Sequence, residues 1–219
     1  MTNKLQKIKK IAQNYFKELD QTDFCHDFTH VERVTKLAIY IAQKEGGDKE
    51  ILEIEALLHD IARPAEDRGE IQDHALESAQ LAEQILTKIN YPEDKIKIIC
   101  NAIKKHRSKI QDKPENIEEK ILQDADRLDA LGAVDVARVI ASTIQSKNYH
   151  APIYIDEEYK VPSDEHKSAI HYLIHKTIQP KRRPESFHTE TGRKLATERQ
   201  QFMQDYIKRF IKEWRGEFE

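Results

Sequence analysis

His59 and Asp60 stand side by side at the end of the apolar run Ile54-Glu55-Ala56-Leu57-Leu58. Both are poor occupants of such a segment, because burying an unpaired charge costs several kcal/mol. A lone His30 lies upstream in Asp27-Phe28-Thr29-His30, and a carboxylate-rich stretch, Gln123-Asp124-Ala125-Asp126-Arg127-Leu128-Asp129, lies downstream. Two imidazoles and two carboxylates make a mixed nitrogen and oxygen donor set. It suits manganese, iron, zinc or magnesium and leaves positions open for water and a phosphate. Singly, each residue has a plainer reading: a histidine near a helix end is a cap or a surface group, and a His-Asp pair there simply reaches water. Only the combination points to a metal.

The downstream carboxylates divide by geometry. At 3.6 residues per turn, Asp124 and Asp126 sit about 200° apart, so a regular helix cannot aim both at one ion. Asp126 and Asp129 are three apart and share a face. One aspartate therefore ligates, while its neighbours hold ligands or phosphate-binding arginines from behind. Ala125, Leu128, Ala130 and Leu131 make this a poor solvent face.

The elements that must position these groups are helical. Leu5, Ile8, Ile11, Ala12, Tyr15 and Phe16 recur at three and four residues, as do Val31, Val34, Leu37, Ala38, Ile41 and Ala42 ahead of Gly46-Gly47. A third helix is predicted over 49–62, carrying the His-Asp pair and stopping before Pro64. Others follow over 74–88, from Pro92 to near His106, and from 117 toward 144 with a break at Gly132. Residues 63–73, charged and bearing Pro64 and Gly69, read as a loop, and 148–162 as a loop or short hairpin. Helices over 164–178 and 189–214 flank a basic link at 179–184. No strand alternation is long enough to build a sheet, so the expected architecture is an all-α bundle.

Bulk properties narrow the function classes. The chain has 219 residues, within reach of one domain. Its net charge of -3 pulls it toward neither nucleic acid nor an anionic membrane. Cys25 and Cys100 form no CxxC motif, which argues against thiolate zinc or a disulfide framework and fits a reducing cytoplasm. The lysine-studded N-terminus reads as neither signal peptide nor membrane span. P-loop and GxSxG patterns are absent, and neither cysteine sits in a nucleophile motif.

His30, His59-Asp60 and Asp126 resemble the H…HD…D signature of the HD-domain metal-dependent phosphohydrolases. The resemblance extends to His26-Asp27-Phe28-Thr29-His30-Val31-Glu32-Arg33-Val34, Leu57-Leu58-His59-Asp60-Ile61, and Gln123 through Ala133. It continues into His188-Thr189-Glu190-Thr191-Gly192-Arg193 and the terminal Glu213-Trp214-Arg215-Gly216, thus covering nearly the whole chain. It implies a single-domain helical bundle over 1–219, with a metal-binding core at about 26–145 and a helical extension at about 164–216. The small bacterial branch it points to includes enzymes that hydrolyse deoxynucleoside triphosphates to monophosphate and pyrophosphate. Asp126, not Asp124, matches the last aspartate, leaving Asp124 and Asp129 as supporting carboxylates. The implied cofactor is a divalent ion, manganese first, with Mg2+, Fe2+, Co2+, Ni2+ or Zn2+ as alternatives. The implied partner is a small nucleotide or phosphate ester, with no membrane or nucleic acid; a homodimer stays open. One departure is Val134-Asp135, where an apolar residue and glycine are expected.

His74 and His106 lie between the His-Asp pair and Asp126, the order in which some HD phosphodiesterases hold a second metal. The alternatives are contact with substrate phosphate, or a cap for His74 and a surface position for His106. Arg33, Arg127, Lys105 and Arg107 are candidate cations for the charge that builds on phosphoryl oxygens. His150, His166, His171, His175 and His188 follow no such order and read as structural or surface groups; the i, i+4 pair His171 and His175 lacks the acidic partner of a zincin. Tyr149, Tyr154 and Tyr159 could stack on a nucleobase, and Trp214 anchors the last helix. The competing classes are another phosphate-ester hydrolase and a nucleotide-binding regulatory module without turnover.

Overall fold

The computed structural model describes residues 3–17, 27–107, 113–145 and 150–218. The chain is all-α, and no strand occurs among the described residues. Cys25, His26 and Tyr149 lie outside them. The chain divides into two compact units, with the boundary after Asp126.

In the first unit, α1 (Asn3–Tyr15), α2 (Phe28–Glu45), α3 (Lys49–Leu58), α4 (Arg63–Asp67), α5 (His74–Lys88) and α6 (Glu93–Lys105) precede α7 (Ile117–Asp129), within which the boundary falls. Aspartates start three of these helices. Asp27 accepts from the His30 amide, Asp48 from those of Glu50 and Ile51, and Asp73 from those of Ala75 and Leu76. Each satisfies amides that have no partner within the first turn. α3 is buried nearly all round, through Ile51, Leu52, Ile54, Leu57 and Leu58, and packs on α1, α2, α5 and α6. A helix apolar on every side belongs in a core, and each such side chain contributes about 1.5–3 kcal/mol by burial.

Two helical boundaries differ from the sequence expectation. α3 ends at Leu58 rather than 62, so His59 is its C-cap and 59–62 form a turn. The expected loop at 63–73 opens instead with α4, because Pro64 falls in a first turn, where its missing N–H costs nothing.

The second unit holds α8 (Ala133–Gln145), α9 (Ala169–Ile178) and α10 (Glu190–Trp214), which pack on one another. The break expected at Gly132 is present: its φ is +88°, and a Cβ there would lie 3.0 Å from Arg199 Cγ. Residues 150–161 are irregular, not a hairpin, and the helix expected from 164 starts at Ala169 after a 3₁₀ turn, Pro162–His166. The departure at Asp135 has a partner. Lys176 Nζ donates to Asp135 Oδ1 at 2.7 Å, with both side chains buried, so the acid is neutralised inside the unit. No helix among the described residues is long and apolar enough to cross a membrane.

Candidate metal centre

The end of α3 delivers the His-Asp pair. Asp60 O accepts from the Arg63 amide at 2.9 Å, and Ser78 Oγ of α5 accepts from Ala62 N at 3.0 Å, fixing the turn from both sides. α2 contributes His30, α7 contributes Asp126, the start of α5 contributes His74, and the C-cap of α6 contributes His106. Gln123 of α7 donates to Lys105 O at 2.7 Å and so ties the end of α6 to the helix bearing Asp126.

These side chains converge. His30 Nε2 lies 3.4 Å from Asp126 Oδ1 and 3.7 Å from Asp60 Oδ2. His59 Nε2 lies 3.7 Å from Asp60 Oδ2 and 3.9 Å from Asp126 Oδ1. The other oxygen, Asp60 Oδ1, is 3.2 Å from both His74 Nε2 and His106 Nε2. The imidazoles form a row, with centroids 5.4 Å apart for His30–His59, 5.1 Å for His59–His106 and 5.3 Å for His106–His74. Asp60 thus faces two donor groups, His30 with His59 on one side and His74 with His106 on the other.

The donor atoms fit a cation better than they fit one another. His59 is fully buried and its Nε2 has no hydrogen-bond partner among the described residues; the same holds for Asp60 Oδ1. The two 3.2 Å approaches to that oxygen are close enough for charge pairing but misaligned for hydrogen bonds. Buried polar atoms are rarely left in this state without a ligand. Donors held about 2.1 Å from one ion lie roughly 3.0–3.4 Å apart, close to the spacing here. His59 Nδ1 donates to Ala56 O at 2.8 Å and His106 Nδ1 to Ile103 O at 2.7 Å. A carbonyl can only accept, so each Nε2 is left to face the cluster.

The electrostatics follow from burial and from these neighbours. Burial opposes charge on Asp60, yet the surrounding His59, His106 and His74 imidazoles hold its pKa well below the carboxylate range. Burial also opposes charge on Asp126, but His30 brings its pKa down to about 2. Burial pushes His59 down; His106 is raised, since Asp60 outweighs its burial. Both acids are therefore ready as anionic ligands. Asp126, with a side chain 26% exposed, is the member open to solvent.

The remaining candidates divide by position. Arg33 sits one turn beyond His30 and donates to Thr29 Oγ1 at 2.9 Å. Asp124 is fully buried. In the second unit, Asp129 accepts from Arg138 at 2.7 Å, and Arg127 donates to Ser186 O at 3.0 Å with its guanidinium over the Phe187 ring. Lys105 is paired with Glu115 and Glu119, whereas Arg107 reaches Glu66 at 3.1 Å. His171 lies between Ser168 Oγ and Glu157 O, and His175 between the Tyr159 hydroxyl and Glu165, both structural placements. Tyr154 packs on Trp214. Burial raises the Cys100 thiol pKa to about 11, the state of an inert thiol. Sequence reasoning missed Glu66 and Gln123, which hold site residues in place, and the buried Glu55. Glu66 was hidden by the expectation of a loop at 63–73.

Residues 27–131 match the HD domain family. The uncharacterized protein YpgQ of Bacillus subtilis strain 168 is 33% identical over 203 residues, 87% of this chain and 85% of its own length. A predicted HD superfamily hydrolase from an uncultured Thermotogales bacterium has a crystal structure similar to this one, with a TM-score of 0.69 and 33% identity over 96% of this chain and 92% of that one. Bacillus subtilis YpgQ in complex with ADP gives a TM-score of 0.69 at 28% identity, over 95% of this chain and 97% of that one. The buried His-Asp cluster, its unsatisfied donors and these likenesses agree: the chain belongs to the HD-domain phosphohydrolase superfamily, whose members are metal-dependent hydrolases.

Proposed function

We propose that the chain is a nucleotide phosphohydrolase that converts deoxynucleoside triphosphates to monophosphate and pyrophosphate. The observation that carries this reading is the cluster of His30, His59 and Asp60 within metal-ligand reach of one another, with Asp126 Oδ1 beside both histidines and His59 Nε2 buried and unsatisfied. A nucleotide substrate is supported by the ADP complex of YpgQ. His30, His59, Asp60 and Asp126 would hold one divalent ion, manganese first, which when bound supplies phosphoryl polarisation and an activated water. His74 and His106 contact substrate phosphate from the far side of Asp60, directly or through one water. Arg33 and Arg127 contribute positive charge where the phosphoryl oxygens gain negative charge. Asp124 and Asp129 act as supporting carboxylates. The functional unit is taken as one HD domain over 1–219, acting on a small molecule in the cytoplasm.

A second reading is favoured by one observation: Asp60, His74 and His106 also lie within metal-ligand reach of one another. Under it, the protein is a phosphodiesterase or nucleotidase holding two ions. The experiment is a panel of deoxynucleoside triphosphates, nucleoside monophosphates, cyclic nucleotides and a simple phosphodiester, with several metals including manganese. Pyrophosphate release from triphosphates supports the first reading, and phosphodiester cleavage the second. No turnover on any of them would leave a nucleotide-binding module.

A further inference from the structure

Histidines of the cluster solve the same problem in two ways. His59 and His106 are both helix C-caps, and each Nδ1 donates to the carbonyl three residues back. A helix end offers carbonyls without intrahelical partners, so these two imidazoles are oriented by their own helices. His74 is the first residue of α5, where the unpartnered backbone groups are amides rather than carbonyls. Its Nδ1 must find an acceptor elsewhere. That acceptor is Glu66 of α4, whose Oε2 lies 2.6 Å from His74 Nδ1. Glu66 Oε1 also accepts from the His74 amide at 3.2 Å and from Arg107 Nη1 at 3.1 Å. One carboxylate therefore grips both ends of His74 and the residue after His106. Arg63 Nη1, 3.6 Å from Oε2, adds a second positive neighbour.

We infer that Glu66 is a positioning residue: it keeps the proton on His74 Nδ1 and aims His74 Nε2 at the Asp60 carboxylate. The inference rests on the proposed site for its functional meaning, though the bond itself is independent of substrate and metal. A carboxylate behind an imidazole fixes its ring and increases the donor strength of the opposite nitrogen. Loss of such partners typically costs 10–100-fold in metal affinity or activity. With its proton on Nδ1, a neutral His74 turns an Nε2 lone pair to a cation, and it donates to a phosphate oxygen only when Nε2 carries a proton as well.

The test compares the full-length parent with Glu66→Ala and Glu66→Gln, each with ¹⁵N-labelled histidine and treated with chelator. The nitrogen shifts report which imidazole nitrogens carry protons. In the parent, His74 Nδ1 is expected to be protonated. Glu66→Ala should move that proton to Nε2, whereas Glu66→Gln, whose amide oxygen still accepts, should retain it. His59 and His106 are internal controls, because their Nδ1 partners are backbone carbonyls. A variant that has merely lost its fold would disturb all three. On the active enzyme, kcat/KM should fall 10–100-fold in Glu66→Ala and less in Glu66→Gln. A bare Nδ1 in the parent, or an unchanged His74 in Glu66→Ala, overturns the inference. A parent without nucleotide turnover but with the expected shifts overturns the proposed function and leaves Glu66 as the residue that positions His74.

Discussion

Glu55 gives the sharpest test of the packing described above. It is fully buried in α3, and neither carboxyl oxygen has a hydrogen-bond partner among the described residues. Burial pushes its pKa well above the ordinary carboxylate value, and the charges of Glu118, Glu119 and Asp48 push the same way. Native Glu55 therefore keeps its proton at pH values where the same residue in the unfolded chain, with an ordinary pKa of about 4.3, has released it. In that window the native state binds one more proton than the unfolded state, so stability falls as pH rises. The slope from this one group is about 1.4 kcal/mol per pH unit. Glu55→Gln keeps the shape and removes the titration. Urea unfolding followed by circular dichroism, on both proteins in chelator at pH 6 and pH 7, isolates the effect, because every other titrating group cancels in the difference. The stability advantage of the variant should grow from the lower to the higher pH, by at most about 1.4 kcal/mol per unit for as long as native Glu55 keeps its proton. A difference that stays constant would mean that native Glu55 is already ionised, and that water or a cation reaches it.

Asp60→Ala removes the carboxylate that both donor groups share. It should weaken manganese binding, read by calorimetry, by more than the 10–100-fold typical of an outer partner, with the helical dichroism unchanged; retained affinity would refute the site. His74→Ala and His106→Ala should each lower kcat/KM by more than threefold, about 0.7 kcal/mol, and smaller effects would reduce both to packing roles. Asp135→Ala strands the Lys176 ammonium in the second unit and should cost about 3–5 kcal/mol in urea unfolding, as for other broken buried pairs. Burial also holds Lys176 down to about 8 from an ordinary 10.5. Between those values the unfolded chain holds a proton that the native one has released, so this group makes stability rise with pH. Lys176→Met should flatten that rise.

Much of the fold could be read from local chemistry. The apolar spacing in α1, α2 and α5 and the aspartates before α2, α3 and α5 place those helices within a few residues, because caps and amphipathic faces are written locally. What failed was decided by competition between neighbours. Residues 59–62 continue the helical composition of α3, yet the helix stops at Leu58, where His59 takes over as the cap. Pro64 signals an end and a beginning alike, and the sequence does not say which. The buried Lys176 could not be paired with Asp135 from sequence, since they are 41 residues apart and each looks like a solvated charge.

The site shows the same division between what a residue type announces and what only a neighbour determines. Adjacent His and Asp after an apolar run are anomalous where they stand, so they could be found without knowing what surrounds them. The orienting groups are of two kinds. Ala56 O and Ile103 O are backbone atoms that any residue would supply, and they leave no mark in the sequence; the signal is the histidine itself, set at the end of a helical run. Glu66 is a side chain, but one acidic residue within Arg63-Pro64-Ala65-Glu66-Asp67-Arg68 cannot be told from Asp67 by composition. Helix geometry separates them. On α4, Glu66 reaches the start of α5, while Asp67 turns back to Arg63 at 2.8 Å. A histidine at the first position of a helix therefore carries a searchable requirement: an acceptor for Nδ1 must come from another element, and an acidic residue on the preceding turn is the first place to look.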